Sequence, residues 1–268
     1  MNTLNLDMLN KLKEEFTKGN LDEAEKCCLS LLNSSPDCLE TILLLEYQSN
    51  ILRNKGKIAQ AIDVREKQVE FLEKEFGKEH NRVASALHNL ALLYARRGLL
   101  PKALELSEQA VNILKKNLAE NDPKIADAVV NLSMQYYGLS KFDKAETLLK
   151  EALAIYLQAE GNDSFGASTC YNNLGRIYEH LDETEKAVEY HAKAVDIRKR
   201  TLGSHNETAF CLGNYATALA GNGQFKEAID MFNEALAIYT ELGLENSDTA
   251  QICLSNKQIC VATTGHCP

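Results

Sequence analysis

The 268-residue sequence lacks the features of several large protein classes. No apolar run reaches the roughly 20 residues that a membrane-spanning helix needs. The segment Met1 to Asp7 has no basic stretch followed by an apolar core, so a secretory signal is not expected. Only four prolines and no low-complexity tract occur, which argues against long disordered segments. These absences favour a soluble, folded protein.

The sequence also has no block of lysine or arginine. Its 29 basic residues are outnumbered by 38 acidic residues, which gives a formal net charge of −9. Phosphate backbones and anionic lipid surfaces attract clustered positive charge. We therefore expect neither nucleic acid nor a membrane as a partner.

The patterns that carry catalytic or metal chemistry are missing as well. The glycines lie at expected helix turns rather than in a phosphate-binding loop, and no serine has a nearby histidine and acid that suggest a triad. The adjacent pair Cys27-Cys28 does not have the spacing of zinc ligands, and no functional metal site is expected at His266-Cys267. The sequence thus predicts no enzyme activity, no catalytic residues, no metal and no cofactor.

What the sequence does contain is a repeat with a period of 41 or 42 residues. Two alanine columns and one asparagine column keep this interval. The columns are Ala103, Ala145, Ala187 and Ala228; Ala110, Ala152, Ala194 and Ala235; and Asn89, Asn131, Asn173, Asn214 and Asn256. Three columns with one period indicate a single supersecondary unit that is copied along the chain.

Each copy contains two stretches with the apolar spacing of a helix, i, i+3, i+4 and i+7. In one copy these are Leu87, Leu90, Ala91 and Tyr94, followed by Ala103, Leu106, Ala110, Ile113 and Leu114. Between them, Gly98 suits the left-handed end of a helix and Pro101 suits the first turn of the next. A lone hairpin cannot bury both apolar stripes, so the units must stack. The predicted fold is all-α, a right-handed superhelical solenoid of antiparallel helix hairpins.

The segment Tyr171-Asn172-Asn173-Leu174-Gly175-x-x-Tyr178, continued by Ala187 and Ala194, resembles the tetratricopeptide repeat family. The usual period of that family is about 34 residues, and the longer period here resembles its kinesin light chain subclass. The resemblance covers nearly the whole chain. It implies a helical solenoid, a fold that hosts many different roles.

The columns divide the chain into repeats of one continuous array over residues 1–268. The predicted bounds are 6–38 for an N-terminal cap repeat, then 39–82, 83–124, 125–166, 167–208 and 209–249, and finally 250–268. The last segment reads as the first helix of a seventh repeat. Two interpretations stay open for it: a helix that closes the array, or a repeat that continues in a longer protein.

Three of the eight cysteines occupy one repeat position. Cys170, Cys211 and Cys253 stand where earlier copies have Ala86 and Ala128. We therefore expect them to be small buried packing groups. Equivalent positions on stacked helices are about 8–10 Å apart, beyond the reach of a disulfide. Free thiols suggest a reducing, cytoplasmic location.

The asparagine column suggests a function. Asparagine is a mediocre helix former, but its amide can satisfy a peptide N–H and C=O together. In a stacked array the first helices line the concave side, and related superhelical repeat proteins resembling this one use such a column to hold an extended peptide. The predicted peptide-binding residues are Asn89, Asn131, Asn173 and Asn214 for the backbone, with Tyr47, His88, Arg96, Asn172 and Arg176 for selectivity. The alternative is that the asparagines bond to neighbouring helices and steady the packing.

Arginines on the predicted concave wall are candidates for binding carboxylates. Arg53, Arg96 and Arg176 lie there, mixed with acidic residues, whereas no lysine occupies a concave position in the second to fifth repeats. The sequence thus predicts a non-catalytic adaptor that binds a protein or peptide partner. The alternative is a regulatory or oligomerisation module of a larger enzyme or signalling protein, with self-association through the terminal helix.

Overall fold

A computed structural model describes residues 5–34 and 36–265 of the chain. All regular secondary structure in these ranges is α-helical. The helices are α1 Leu6–Thr17, α2 Leu21–Asn33, α3 Cys38–Asn54, α4 Ile58–Phe76, α5 Asn81–Arg96, α6 Leu100–Asn117, α7 Pro123–Gly138, α8 Phe142–Glu160, α9 Phe165–His180, α10 Thr184–Leu202, α11 Asn206–Gly221, α12 Phe225–Glu241 and α13 Asp248–Thr264. The predicted all-α architecture of six helix hairpins followed by a terminal helix is confirmed.

The two alanine columns lie at the contacts between helices. Every alanine in both columns, from Ala103 to Ala235, has no exposed surface. A side chain no larger than a methyl group lets two helix backbones approach closely, so the repeat period marks positions where helices touch. Helix starts are fixed locally as well, for example by the capping box in which Asp37 and Glu40 bond each other's backbone N–H.

The turns inside the hairpins use one left-handed residue each. Gly98 has a φ of 75° between α5 and α6, as its position in the repeat predicts. Ser140 and Asp182 take the same place in the next two hairpins, with φ values of 57° and 60°. The turn geometry is therefore kept where glycine is absent, at the cost of strain in a side chain-bearing residue.

The chain divides into two compact units, Met1–Ala119 and Glu120–Pro268. In the first unit, each of the helices α2 to α6 packs against the helix before it. Leu12 of α1, Leu31 of α2, and Leu44 and Ile51 of α3 form one apolar cluster with other residues. This cluster fixes the N-terminal hairpin against the helix that follows it.

In the second unit, each of the helices α8 to α13 packs against its predecessor, and α7, α9, α11 and α13 also contact one another in sequence. Phe232 and Tyr239 of α12 are fully buried at its core. Because the first helices of successive hairpins lie side by side, side chains at equivalent positions on them form a continuous wall.

The cysteine column of this unit is buried, as predicted. Cys170, Cys211 and Cys253 have exposed fractions of 0%, 2% and 6%, and every cysteine of the described residues is a free thiol. Burial raises the pKa of Cys170 to about 12 and that of Cys211 to about 11. These thiols are packing groups held in their protonated form.

The terminal helix α13 has one buried and one open side. Ala250, Cys253 and Cys260 are buried, whereas Ile252 and Ile259 are 59% and 63% exposed. The two isoleucines are seven residues apart and so lie on one face of the helix. His266 and Cys267, where the sequence gives no reason to expect a functional metal site, lie outside the described residues.

None of the helices in residues 5–34 and 36–265 combines the length and the apolar character that a membrane span requires.

Candidate binding surfaces

In the first unit, α5 carries three of the predicted binding residues. His88 and Asn89 are half-buried and Arg96 is exposed. Asn89 and Arg96 are seven residues apart, so they lie on one face of the helix. Asn89 also lines a pocket between α3, α4 and α5, together with Ser85 and Arg82. The asparagine thus borders a concave surface within this unit.

Tyr47 of α3 is bound more closely into the core than the sequence suggests. Its ring meets the ring of Phe16 edge to face, with centroids 5.8 Å apart. Burial, followed by the charge of Glu46, raises the pKa of Tyr47. The ring therefore joins α1 to α3, and only part of its surface is exposed.

In the second unit, Asn131, Asn173 and Asn214 stand on the neighbouring helices α7, α9 and α11. The Asn131 Nδ2 donates to the backbone oxygen of Asp127, one turn earlier, at 2.9 Å. Asn173 is 8% exposed. Within the described residues, neither Asn89 nor Asn173 has a side-chain hydrogen bond to another residue.

Asn214 and Asn172 take part in a buried polar network between α9, α10 and α11. The Asn214 Nδ2 donates to Oδ1 of Asn172 at 3.0 Å. Oδ1 of Asn172 also lies 3.2 Å from Nδ1 of His191, which has no exposed surface. Asn172 itself is only 6% exposed. Two of the predicted peptide-binding residues, Asn172 and Asn214, therefore make hydrogen bonds between helices, as the packing alternative describes.

His191 fits under α9 because residue 175 is a glycine. A Cβ at Gly175 would lie 2.6 Å from the His191 ring, well inside contact distance. His191 Nε2 is 3.3 Å from a Glu179 carboxylate oxygen, a distance suited to an ion pair, although the angles are not those of a hydrogen bond. The small residue of the repeat pattern thus makes room for a buried imidazole.

Arg176, another predicted residue, belongs to a cation–aromatic cluster at the C-terminal ends of α7 and α9. Its guanidinium lies 5.0 Å from the centre of the Tyr137 ring. Tyr137 meets His180 at 5.2 Å and Phe142 at 5.6 Å, and Phe142 stacks on His180 at 5.3 Å. Three of these side chains are half-buried and His180 is exposed. The cluster thus joins a planar cation to three aromatic rings at a partly exposed position.

The acidic residue Asp127 is occupied inside the same unit. Its Oδ1 accepts a hydrogen bond from the Tyr156 hydroxyl at 2.5 Å. Burial, assisted by this bond, raises the pKa of Tyr156. The bond ties the exposed residue Asp127 of α7 to α8.

Several residues of these surfaces were not predicted as site residues from the sequence. Phe142 and His180 complete the cluster around Arg176, and Arg65 and Gln68 form the polar base of the pocket beside Asn89. A signal was present for the second pair, because Gln68 stands in the column that holds alanine from Ala110 onward. A polar residue in an alanine column marks a changed local environment.

The helix hairpins and the side-by-side first helices define the chain as a repeat scaffold with wall-like faces. Its sequence matches the family model described as tetratricopeptide repeat at residues 40–116, 124–200 and 177–241. The chain therefore belongs to the tetratricopeptide repeat family, which confirms the resemblance seen in the sequence. It has no match among curated proteins.

Solved structures share this fold. The chain is similar to BtubC (BKLC) from P. vanneervenii, with 23% identity, a TM-score of 0.69, and coverage of 87% of this chain and 92% of that one. It is also similar to a Podosopora anserina protein described as a kinesin light chain with nearly identical repeats, at 25% identity and a TM-score of 0.62, covering 74% and 94% of the two chains. A Rap protein solved with competence and sporulation factor has 15% identity and a TM-score of 0.70, with 96% and 76% covered.

Proposed function

We propose that the chain is a non-catalytic, cytoplasmic adaptor that binds an extended peptide segment of a partner protein along the faces of its first helices. The observation that carries the proposal is the amide series Asn131, Asn173 and Asn214 on helices that touch one another. Neighbouring packed helices are about 8–10 Å apart, and an extended chain advances about 3.3 Å per residue. Successive amides therefore match about every third peptide residue.

The chemistry of the series supports backbone recognition. An amide accepts from a peptide N–H and donates to a peptide C=O, so it serves any sequence. Asn173 has no side-chain hydrogen bond to another residue among the described residues, and the Nδ2 of Asn131 donates to Asp127 O within its own helix. Asn172 acts indirectly: its Oδ1 accepts a hydrogen bond from the Asn214 amide and so orients that amide.

Selectivity in this proposal comes from the side chains that flank the amides. Arg176 and its aromatic neighbours suit an acidic or aromatic peptide side chain, since a guanidinium group pairs with carboxylates and stacks on aromatic rings. In the first unit, selectivity comes from the side chains around the Asn89 amide, namely His88, Arg96 and the exposed part of the Tyr47 ring. The Rap structure mentioned above contains a bound factor, and the similarity in fold supports a binding role for this chain.

The test uses peptides selected from a displayed library of short random sequences on the folded protein. Affinities of the selected peptides are compared for the wild type and for the double variant Asn131→Ala/Asn173→Ala by fluorescence anisotropy. The matched control is Asn112→Ala/Asn233→Ala, since both of these asparagines are exposed on second helices. Loss of affinity in the first variant alone supports the proposal, and equal affinity in all three proteins contradicts it.

A second candidate function is self-association, or docking to another part of a larger protein, through α13. The observation that favours it is the exposed pair Ile252 and Ile259 on one helix face. Removing such apolar surface from water is worth about 25 cal/mol per Å². Light scattering at increasing concentration tests it: association that disappears in Ile252→Lys/Ile259→Lys supports this role, and a monomer at all concentrations excludes self-association.

A further inference from the structure

The first unit contains a pocket of about 440 Å³ between α3, α4 and α5. One wall is apolar and includes Leu39, Ile42 and Leu43. The other side is polar and includes Arg65, Gln68 and Asn89. A concave site with an apolar wall and a few convergent polar groups is the usual form of a ligand site.

Arg65 is a buried charge without an anionic partner. It is 2% exposed, and its Nη1 and Nη2 donate to two neutral amide oxygens, Gln68 Oε1 at 2.6 Å and Asn50 Oδ1 at 3.0 Å. Its Nε has no hydrogen-bond partner, and no carboxylate of the described residues forms an ion pair with it. Burying a guanidinium in this way is costly, and an anion that reaches it recovers part of the cost.

The other helix hairpins of the chain form without this pair. Gln68 stands in the column of Ala110, Ala152, Ala194 and Ala235, all of which have no exposed surface. Arg65 stands three residues earlier, where later repeats have Ser107, Leu149, His191 and Phe232. The hairpin α3–α4 therefore departs from the alanine column where the pocket lies, and the Gln68 side chain holds the arginine and bonds Ile42 O at 3.1 Å.

The charges that border the pocket favour a single negative group. Arg82 lines it as a second cation, with its guanidinium 4.7 Å from the centre of the Phe76 ring. Glu46 is the acidic residue among the lining groups. Burial lowers the pKa of Arg65, while Glu46 opposes and Arg53 assists that effect. With two arginines and one glutamate at the pocket, its net charge is positive.

We propose that this pocket binds a carboxylate of the partner peptide at Arg65, with an adjoining apolar residue of the peptide against Leu39, Ile42 and Leu43. The inference rests on the proposed function, since it assumes a peptide along the first helices, where Asn89 can hold the peptide backbone. Two sources supply the same chemistry: an acidic side chain within the peptide, or the carboxylate at its C-terminus.

The direct test follows the Nε–H signal of Arg65 in a ¹⁵N NMR spectrum of the full chain, assigned by its loss in Arg65→Met. The probes are acetyl-Leu-Glu-Leu-amide and its neutral counterpart acetyl-Leu-Gln-Leu-amide, and acetyl-Leu-Leu-Leu with a free carboxylate or as its amide. At least one acidic probe must shift the signal and bind about tenfold more tightly than its neutral counterpart, the gain of a charge-assisted hydrogen bond. The probe that does so identifies the source of the carboxylate.

The internal reference is Arg198, which is also buried but whose Nε donates to Ser168 Oγ at 2.6 Å. Its signal must stay in place in every titration. Equal binding of acidic and neutral probes, or an Arg65 signal that no acidic probe moves, overturns the inference. This result leaves the proposed function intact, because that function is tested at Asn131 and Asn173 with peptides selected independently.

Two variants complete the test. Arg65→Met replaces the buried cation by an apolar group of similar length, a change that folded proteins tolerate, and it must abolish the preference for the acidic probe. Glu46→Gln removes the acidic residue at the pocket and must strengthen acidic probe binding about two- to threefold. A preference that survives in Arg65→Met contradicts the assignment, and the wild-type titration decides it should that variant fail to fold.

Discussion

The side-chain amide of Asn214 donates to Oδ1 of Asn172 across 3.0 Å, from α11 to α9. The same oxygen lies 3.2 Å from Nδ1 of the buried His191. A residue of the asparagine column therefore bonds to a neighbouring helix, while Asn173, the next residue along α9, has no such bond among the described residues. The column serves packing at one place and leaves amides available at others.

We predict that Asn172→Ala lowers the free energy of unfolding by about 1–3 kcal/mol. The substitution leaves both the His191 nitrogen and the Asn214 amide without their partner, and unmet buried polar groups carry a cost of that size. Urea unfolding measured by circular dichroism provides the value. Asn112→Ala, at an exposed position of α6, is the control and should change stability by less than about 0.5 kcal/mol, as is usual for surface substitutions.

A second prediction concerns Gly175. A methyl group there would approach the His191 ring to 2.6 Å, so Gly175→Ala should destabilise the second unit by about 1–3 kcal/mol, the usual cost of overpacking. The small change in helix propensity, which favours alanine by about 1 kcal/mol, works in the opposite direction. Thermal unfolding of the variant measures the net effect.

The matched experiment for Gly175 is a double-mutant cycle with His191→Ala. Removing the imidazole creates the space that the new methyl group needs, so Gly175→Ala should be neutral or stabilising in that background. If Gly175→Ala destabilises the His191→Ala protein as much as the wild type, the steric relation between these residues is wrong.

A third prediction concerns the turns that lack glycine. Ser140→Gly should stabilise the chain by about 0.5–1 kcal/mol. The left-handed conformation costs a residue with a side chain about 1–2 kcal/mol. Glycine avoids this cost, but part of the advantage is lost because glycine gives up more conformational entropy on folding. Asp182→Gly should gain less, since aspartate tolerates this conformation better. Ala154→Gly on the exposed side of α8 is the control and should lose about 1 kcal/mol. A loss of stability in Ser140→Gly contradicts the strained turn.

A fourth prediction follows from the buried thiols. The pKa of Cys170 is raised from 9.0 to about 12 and that of Cys211 to about 11 by burial. The folded state therefore holds these protons more tightly than the unfolded state. Their contribution is complete below pH 9 and is lost as the pH rises above it, by at most about 1.4 kcal/mol per thiol and pH unit. Urea unfolding between pH 8 and pH 10 measures the decline.

The control for the thiols comes from the repeat itself. Earlier copies carry Ala86 and Ala128 at the same position, so Cys170→Ala/Cys211→Ala should fold. Its stability should fall less steeply above pH 9 than that of the wild type, with the ionisation of Cys28 and the tyrosines remaining. An unchanged slope would show that these thiols do not govern the alkaline decline.

The fold was predictable because its information is local and repeated. Ala103 and Ala110, with their equivalents, mark the positions where helices touch, and all of them prove to be buried. Helix existence and hairpin order follow from the spacing of such residues. Even the turns at Ser140 and Asp182 could be placed, since the columns on both sides fix their positions.

The site was less predictable because it depends on which neighbour each side chain meets. The sequence placed Asn172 and Asn173 side by side on one inner wall, but whether an amide bonds to a histidine from the next helix is decided by packing across repeats. Arg65 was missed for a related reason: its isolation from any carboxylate is a property of three helices together. Its signal in the sequence was the polar residue Gln68 in an alanine column.

The proposed peptide-binding role is tested most directly by the affinity of a selected peptide for Asn131→Ala/Asn173→Ala, with the unfolding free energy of the same variant measured alongside. We predict that affinity falls about tenfold or more, as expected for the loss of two groups that bond the peptide backbone, while stability changes by less than about 1 kcal/mol. Unchanged affinity together with lost stability would contradict the role, and would assign these asparagines to packing alone.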